Sequence, residues 1–570
     1  MSSLASLFAA MSRRRRRQLA LTGLAMLAGA AAELVAIGAV FPFLAILTRG
    51  GDGGAGRLPL PRVDSAEAAA AILVAAALAA AAIRLGLLWV TQKLVAGFAH
   101  DLSRAMFGRM LRQPYADYVR RNSSEVIASM EKVRDIAGLV LQPLMQAAVA
   151  TVMALCIAAF LFLLSPEAAT GAAVSLGLAY AAIARLTRGR LAANSTVVGE
   201  SAGQRVKLVQ EALGGLRDII LDRSHIVYEE AFAAVDTRLR RALSSNAIIS
   251  QGPRFAVEAA GMVAIALVAL WMSARPGGLV AALPVLGALA VGAQRLLPLV
   301  QQAYVGWSAT LGNRQAIADI AALLAAPALP DPPAGAARLP LREAVTLHGV
   351  SFAYAPAGAP VLRGIDLAIP RGARIGIVGP TGAGKSTLLD LVMGLLEPTA
   401  GEIRIDGRAL DAATRPLWQA QIAHVPQAIY LSDDSIAANI AFGVRPAEVD
   451  MTRVRACAEA AHIAGFVAGL PEGYATFVGE RGIRLSGGQR QRIGIARALY
   501  KRASVLILDE ATSALDDATE AAVIASMTAL GRDVTLLMIA HRRSTLGGCD
   551  RIVRVEKGRL TEEPARPGAA

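Results

Sequence analysis

Cysteine is scarce in this chain. Its 570 residues include three, Cys156, Cys457 and Cys549, scattered and odd in number. They supply neither a disulfide framework nor a metal-ligand spacing, so they are expected as buried or incidental residues. Charge is scarce too. Asp, Glu, Lys and Arg make up 18% of the chain against 55% apolar residues, and mean hydropathy is +0.47. A typical globular chain is about 25% charged, so this balance points to membrane spans. Acidic residues number 44 against 58 basic ones, a formal net charge of +14. That excess could suit nucleic acid. Here the Lys and Arg residues crowd connections between apolar runs, which a membrane topology explains with no nucleic-acid partner.

Residues 13–17 are five consecutive arginines, and the run from Leu19 to Leu47 that follows is almost entirely apolar. A basic stretch before an apolar run, with small residues at Ala28–Ala32, can be a secretory signal. A signal core is about 7–15 residues, and this run is roughly twice that, so it is read as a first span. Further apolar stretches lie at about 68–95, 143–164, 168–186, 253–273 and 278–300, each near the ~20 residues that cross a bilayer. Ser165-Pro166-Glu167 and Arg275-Pro276-Gly277-Gly278 break the later pairs with helix-stopping residues. The connections on one side carry few basic residues. Those on the other carry many: Arg104, Arg109, Arg112, Arg120, Arg121, Lys132 and Arg134 in one, and Arg185 to Arg241 in the next. The bias places the N-terminus and the C-terminal half on the cytoplasmic side. Arg49, Arg57 and Arg62 in the first outer loop are a mild exception. The two inner connections, about 96–140 and 187–250, have helix-forming composition.

Residues 326–342 are rich in Ala and Pro and are expected as an extended linker. Residues 343–562 then have the composition of a soluble α/β domain, and 563–570 are read as a tail. Arg374–Val378 is a buried-strand candidate running into Gly379-Pro380-Thr381-Gly382-Ala383-Gly384-Lys385-Ser386-Thr387, with an apolar helical pattern after it. Strand, G-x-x-x-x-G-K-[ST] and helix together define a phosphate-binding loop. Its glycines let backbone N–H groups cradle phosphates, Lys385 reaches the β- and γ-phosphates, and the Ser386 hydroxyl is a Mg²⁺ ligand. Leu485-Ser486-Gly487-Gly488-Gln489 opens an Arg-rich helix whose N-terminus favours an anion. Val505–Leu508 is a short apolar strand delivering Asp509 and Glu510 to its carboxyl end. The first acid can hold Mg²⁺ through water, and the second can act as general base on an attacking water. Gln427 and His541 each follow a further strand-like run. Four strands thus deliver polar residues to carboxyl ends, the edge at which parallel α/β sheets bind ligands.

LSGGQ, LILDE and SALD in this spacing resemble the nucleotide-binding domain of ATP-binding cassette (ABC) transporters, and the chain is similar to the exporter type. The resemblance implies a polytopic α-helical membrane domain of six spans (1–325), followed by an α/β P-loop ATPase domain with a RecA-like core and a helical subdomain over about Ile429–Ala475. It implies ATP and Mg²⁺ as cofactors. It assigns Tyr354 to stacking on adenine, Gln427 to Mg²⁺ and communication with the membrane domain, and His541 to the γ-phosphate. Ser486–Gln489 and Asp516 are placed at the nucleotide held by a second chain. The resemblance implies a dimer with ATP sandwiched between chains; because every catalytic position matches the family pattern, a homodimer is the simplest assembly, with a heterodimer as the alternative. Coupling helices are expected near Tyr115–Ser123 and Leu216–Tyr228. Val478–Gly482 resembles the exporter loop that contacts them.

Gln113-Pro114-Tyr115, Arg121–Glu125, Glu211–Ile219 and Gly252–Phe255 with Glu258 resemble an exporter subgroup that includes bacterial flippases of lipid-linked oligosaccharides. The implied substrate is such a lipid, moved across the bacterial inner membrane. The ionisable residues Glu33, Arg84, Arg254, Glu258 and Arg295 lie in or near spans, where charge is costly and normally lines a cavity or is paired. Arg84 and Arg295 can meet an anionic pyrophosphate head, or pair with acids on neighbouring helices. The alternative substrates are drugs, lipid A-like lipids or peptides. A protease-bearing peptide exporter is not expected, since fewer than twenty residues precede the first span. A soluble ABC protein of DNA repair or translation would lack the spans.

Overall fold

The structure is a computed structural model that describes residues 4, 5, 8, 11–49, 65–120, 123–164, 166–273, 278–330, 339–355, 358–512, 514–540, 542 and 546–563. The chain divides into two compact units, Met1–Gln113 with Arg120–Ala328, and Pro114–Val119 with Leu329–Ala570.

The first unit is helical. Helices α1 (Arg13–Arg49) and α2 (Ala66–Leu111) precede a short α3 (Tyr115–Arg120). They are followed by α4 (Ser123–Ile136), a π-helical turn, α5 (Gln142–Leu164) and α6 (Pro166–Gly214). Then come α7 (Leu216–Leu221), α8 (His225–Ser273), α9 (Gly278–Gly312) and α10 (Arg314–Ala325). At about 1.5 Å per residue, the 46-residue α2 and 49-residue α6 and α8 reach roughly 70 Å. That is more than twice a bilayer core. The long inner connections are therefore continuations of the apolar helices. Pro166 starts α6, where its missing N–H costs nothing. Among the described residues, four helices are long and apolar enough to cross a membrane: Arg13–Ala36, Ala66–Leu111, Ser124–Leu163 and Ala169–Gly214. The stretches expected as spans five and six fall within α8 and α9.

Polar side chains tie three of these helices together. Tyr180 on α6 donates to Gln301 on α9 at 2.7 Å, and Gln301 donates to the Ser250 carbonyl of α8 at 2.9 Å. Further along, Asn194 of α6 donates to Asn246 of α8 at 2.8 Å. Gly306 allows α9 to press on α5; a Cβ there would lie 2.3 Å from that of Ala147. Helix α10 is held by Lys132 pairing with Asp319, and by Arg109 donating twice to the Ala326 carbonyl.

The second unit carries two sheets. The antiparallel one runs β2 (Leu362–Pro370), β1 (Ala344–Phe352), β4 (Ala400–Ile405), β5 (Arg408–Ala409). The other has the order β10 (Arg559–Glu563), β9 (Arg551–Glu556), β3 (Arg374–Val378), β8 (Thr535–Ile539), β7 (Val505–Asp509), β6 (Ile422–Val425). It is parallel except at β10. Strands β3, β7 and β8 read as continuous apolar runs because both faces are covered. The segment after β6 forms short helices, including α13 (Ile436–Ile440; the helices after β3 and β5 are α11, Lys385–Val392, and α12, Arg415–Gln419) and α14 (Met451–Ala460). They pack with α16 (Gly487–Tyr500, after α15, Ala464–Ala468) around Val454, Ile463, Val467 and Ile493. Cys457 is buried in that cluster. Although α3 follows α2 in the chain, its residues up to Val119 belong to this second unit, with Ala116 against its core.

Candidate functional site

Strands β3, β8, β7 and β6 are consecutive neighbours, so their carboxyl ends lie side by side. The loop after β3 takes left-handed backbone at Gly379, Gly382 and Gly384 (φ +153°, +79° and +102°). A Cβ on Gly379 would meet the Val555 carbonyl at 2.1 Å, so this residue must be glycine on two counts. Lys385 is buried and donates to the Gly379 and Pro380 carbonyls at 2.9 and 3.1 Å, folding back over the loop. Ser386 is exposed beside it.

Gln427 lies two residues past β6, and Glu510 one past β7. The structure brings them together: Gln427 Nε2 donates to Glu510 Oε2 at 2.7 Å. Glu510 holds φ +50°, a conformation strained for a non-glycine residue and common at functional sites. Its own N–H donates to the Ile539 carbonyl at 3.1 Å, fixing it to β8. Asp509 ends β7 opposite Ile539. Tyr354 follows β1 and is 39% exposed. It stands edge-on to Phe352, and its hydroxyl is 3.1 Å from that of Thr387. His541 lies outside the described residues.

Ser486 caps α16 reciprocally with Gln489. Gln489 N donates to Ser486 Oγ at 3.2 Å, and Ser486 N donates to Gln489 Oε1 at 2.8 Å. Both side chains, expected from the motif as nucleotide contacts, also build the helix start. Gly487 and Gly488 lie against Ala514; a Cβ on Gly488 would be 3.1 Å from its carbonyl. Asp516 caps α17 (Asp517–Thr528), accepting from Thr519 N and Oγ1 at 2.9 and 2.7 Å. Those bonds hold its carboxyl below the usual range.

Three features here were not anticipated from sequence. Asp390 on α11 is pushed up to about 6 by burial, with the charge of Asp509 adding to the effect. Gln491 is buried and accepts from Ala514 N at 3.0 Å, tying α16 to the segment after Glu510. Arg497 donates to the Tyr430 carbonyl at 2.9 Å, to the Asn439 carbonyl at 2.8 Å and to Asn439 Oδ1 at 3.1 Å, and lies over the Phe442 ring. It thereby fastens the stretch three residues past Gln427 to the helix opened by Ser486.

In the first unit, the two arginines of the apolar helices, Arg84 and Arg295, are paired. Arg84 Nη2 is 2.7 Å from Glu33 Oε2, an ion contact without hydrogen-bond alignment, and Arg295 Nη1 donates to Glu33 Oε1 at 2.8 Å. Glu33 is buried, whereas each guanidinium is about half exposed. Arg254 pairs with Glu258 on its own helix.

A strand–loop–helix phosphate cradle, flanked by a carboxylate pair and a glutamine on adjacent parallel strands, defines a P-loop nucleotide-binding domain. The ABC transporter family profile matches residues 362–513, and the ABC transporter transmembrane region profile matches 24–276. The chain is 30% identical over 488 residues to an ATP-dependent lipid A-core flippase of Alkalilimnicola ehrlichii, covering 83% of this chain and 80% of that one. A flippase of the same name from Ralstonia nicotianae is 49% identical over 214 residues, and an ATM1-type heavy metal exporter of Novosphingobium aromaticivorans is 43% identical over 225. These last two matches cover 37% and 39% of this chain, and each spans only 36% of the relative's length. The structure of a bacterial Atm1-family ABC exporter with ATP bound superposes with TM-score 0.80 at 26% identity, over 96% of this chain and 95% of that one. The chain belongs to the ABC transporters, with a membrane region of exporter type fused ahead of the ATP-binding domain.

Proposed function

We propose that this chain is half of an ATP-hydrolysing exporter that moves an amphipathic lipid across the bacterial inner membrane, with its six spans and cytoplasmic N-terminus and ATPase. The observation that carries the reading is the single sheet edge at which the phosphate loop, Gln427, Asp509 and Glu510 meet, with Gln427 bonded to Glu510. Lys385 and the loop N–H groups of Gly382 and Gly384 hold the phosphates, Thr381 and Thr387 flank them, and Tyr354 stacks on the base. Ser386, Gln427 and Asp509 are hard oxygen donors, the set that suits Mg²⁺, which would neutralise phosphate charge. Glu510 takes the proton of the attacking water, and His541 contacts the γ-phosphate. Ser486, Gly487, Gly488, Gln489 and Asp516 face the nucleotide of a second copy, making the working unit a homodimer.

For the substrate, the Arg84–Glu33–Arg295 group supports a lipid with a phosphorylated saccharide head. Two guanidiniums share one carboxylate, leaving an excess positive charge on half-exposed donors able to bind phosphate bidentately. A lipid-linked oligosaccharide pyrophosphate and a lipid A-type glycolipid share that chemistry; the names of the flippase relatives favour the second. Proteoliposomes carrying each lipid test the assignment. Wild type should flip at least one of them with ATP, and Arg84→Gln with Arg295→Gln should abolish flipping while ATP binding persists. Normal flipping by the double variant, or extrusion of hydrophobic dyes with no lipid movement by wild type, would refute it.

A further inference from the structure

The five arginines that open α1 do not share one environment. Arg15 turns toward α2: its Nε donates to Asp101 Oδ2 at 3.0 Å, and its guanidinium lies over Gly97, where a Cβ would come within 2.2 Å. At about 100° per residue, Arg13 and Arg17 lie on the opposite side of the helix, with Arg14 beside them. All three are exposed. Steps of four and seven residues from Arg17 reach Leu21 and Leu24, and Leu27 continues the row; they are 61%, 64% and 57% exposed. The arginines therefore crown the same face that presents bare leucines. Arg17 stands roughly 6 Å above Leu21 along the axis, the depth of headgroup phosphates if the leucines meet lipid tails.

The cluster is electrostatically unfavourable by itself. Arg13 with Arg17, and Arg14 with Arg17, are like charges at i,i+4 and i,i+3, and the first turn contains no acid. The charges also add to the positive end of the helix dipole. An external anion offsets both costs. A soluble polyanion would meet the charges and leave the leucine face bare; a lipid satisfies both together.

We propose that Arg13, Arg14 and Arg17 form a binding surface for anionic glycerophospholipids of the cytoplasmic leaflet, with guanidiniums on the phosphates and Leu21, Leu24 and Leu27 along the acyl chains. The leaflet assignment rests on the cytoplasmic N-terminus proposed above; the surface itself does not. Hydrogen exchange of the full chain in nanodiscs tests it, because the same lipid covers both faces and orientation cannot affect the result. In equal parts phosphatidylglycerol and phosphatidylethanolamine, amides of residues 14–20 should exchange about tenfold more slowly than in phosphatidylcholine. The difference should shrink in 0.5 M salt, as screened contacts do. R13Q/R14Q/R17Q should lose the difference, and R13K/R14K/R17K should keep most of it. Equal wild-type rates in the two lipids would overturn the proposal, as would an equally large difference at the start of α2. Should the glutamine variant fail to insert, the lipid and salt comparison on wild type decides alone.

Discussion

Replacing Arg497 by alanine removes three hydrogen bonds and a ring contact at once, and leaves the Asn439 side chain, which is fully buried, with one partner fewer. Hydrogen bonds to a charged group are each worth about 1.5–3 kcal/mol before offsets. The offset here is the cost of burying the guanidinium, visible in a pKa pulled down to about 10. Removing one partner of a buried charged network commonly costs about 3–5 kcal/mol. Arg497 is only partly buried, so a loss of about 2–4 kcal/mol follows. For a unit of this size, each kcal/mol moves the midpoint by about 2–4 °C. Tryptophan fluorescence of the full chain at fixed scan rate, reporting on Trp418 in the core of the second unit, should show its transition roughly 5–10 °C lower. Arg497→Lys should recover less than half of this, because one ammonium cannot span three acceptors on two segments. ATP hydrolysis measured below the transition should fall as well, since the tether sets the stretch that follows Gln427. An alanine variant that melts within about 1 °C of wild type would show that the network does not carry this load.

Two further outcomes are expected. In nucleotide- and magnesium-free protein, Asp390→Asn should be stabilising at pH 8 by about 1–2 kcal/mol, after discounting for partial exposure. The folded pKa of about 6 exceeds the unfolded value of about 3.9. Stability from this group is therefore full below pH ~4 and lost as pH rises through ~6, and the asparagine advantage should vanish near pH 4 in thermal scans; an advantage independent of pH would contradict the cause. Mixing Lys385→Ala chains with Ser486→Arg chains should restore hydrolysis that neither has alone, because mixed dimers keep one intact composite site. Mixtures as inactive as their parents would rule out the shared site.

The phosphate loop was legible in sequence because its chemistry is local: a strand, glycines at required left-handed positions and a helix, within twenty residues. The long helices were legible for the same reason, since α2 and α6 carry helix-forming composition past the apolar run with no proline to stop them. What sequence hid was pairing across distance. Glu33, Arg84 and Arg295 stood out as costly charges in apolar helices, yet that one carboxylate joins both arginines depends on α1, α2 and α9 meeting. Arg497 and Asn439 are 58 residues apart, and nothing in either local pattern names the other. Asp390 reads as an ordinary polar position on a helix until burial beside Asp509 raises its pKa. Sequence placed Ser486 and Asp516 by motif; that both also serve as helix caps was implicit in Ser-x-x-Gln and Asp-x-x-Thr, the spacing of an N-cap.

The proposed function couples hydrolysis at Glu510 to lipid movement through the helical unit. The most direct measurement follows a fluorescent lipid A-type glycolipid between leaflets of proteoliposomes containing wild type or Glu510→Gln, with ATP consumption recorded in the same vesicles. Loss of a positioned general base typically costs 10²–10⁴-fold. The variant should bind ATP, hydrolyse it at least about a hundredfold more slowly, and lose sustained lipid movement in proportion, while wild type moves lipid only when ATP is hydrolysed. Lipid movement that continues at the wild-type rate in Glu510→Gln, or that wild type performs without ATP, would contradict it.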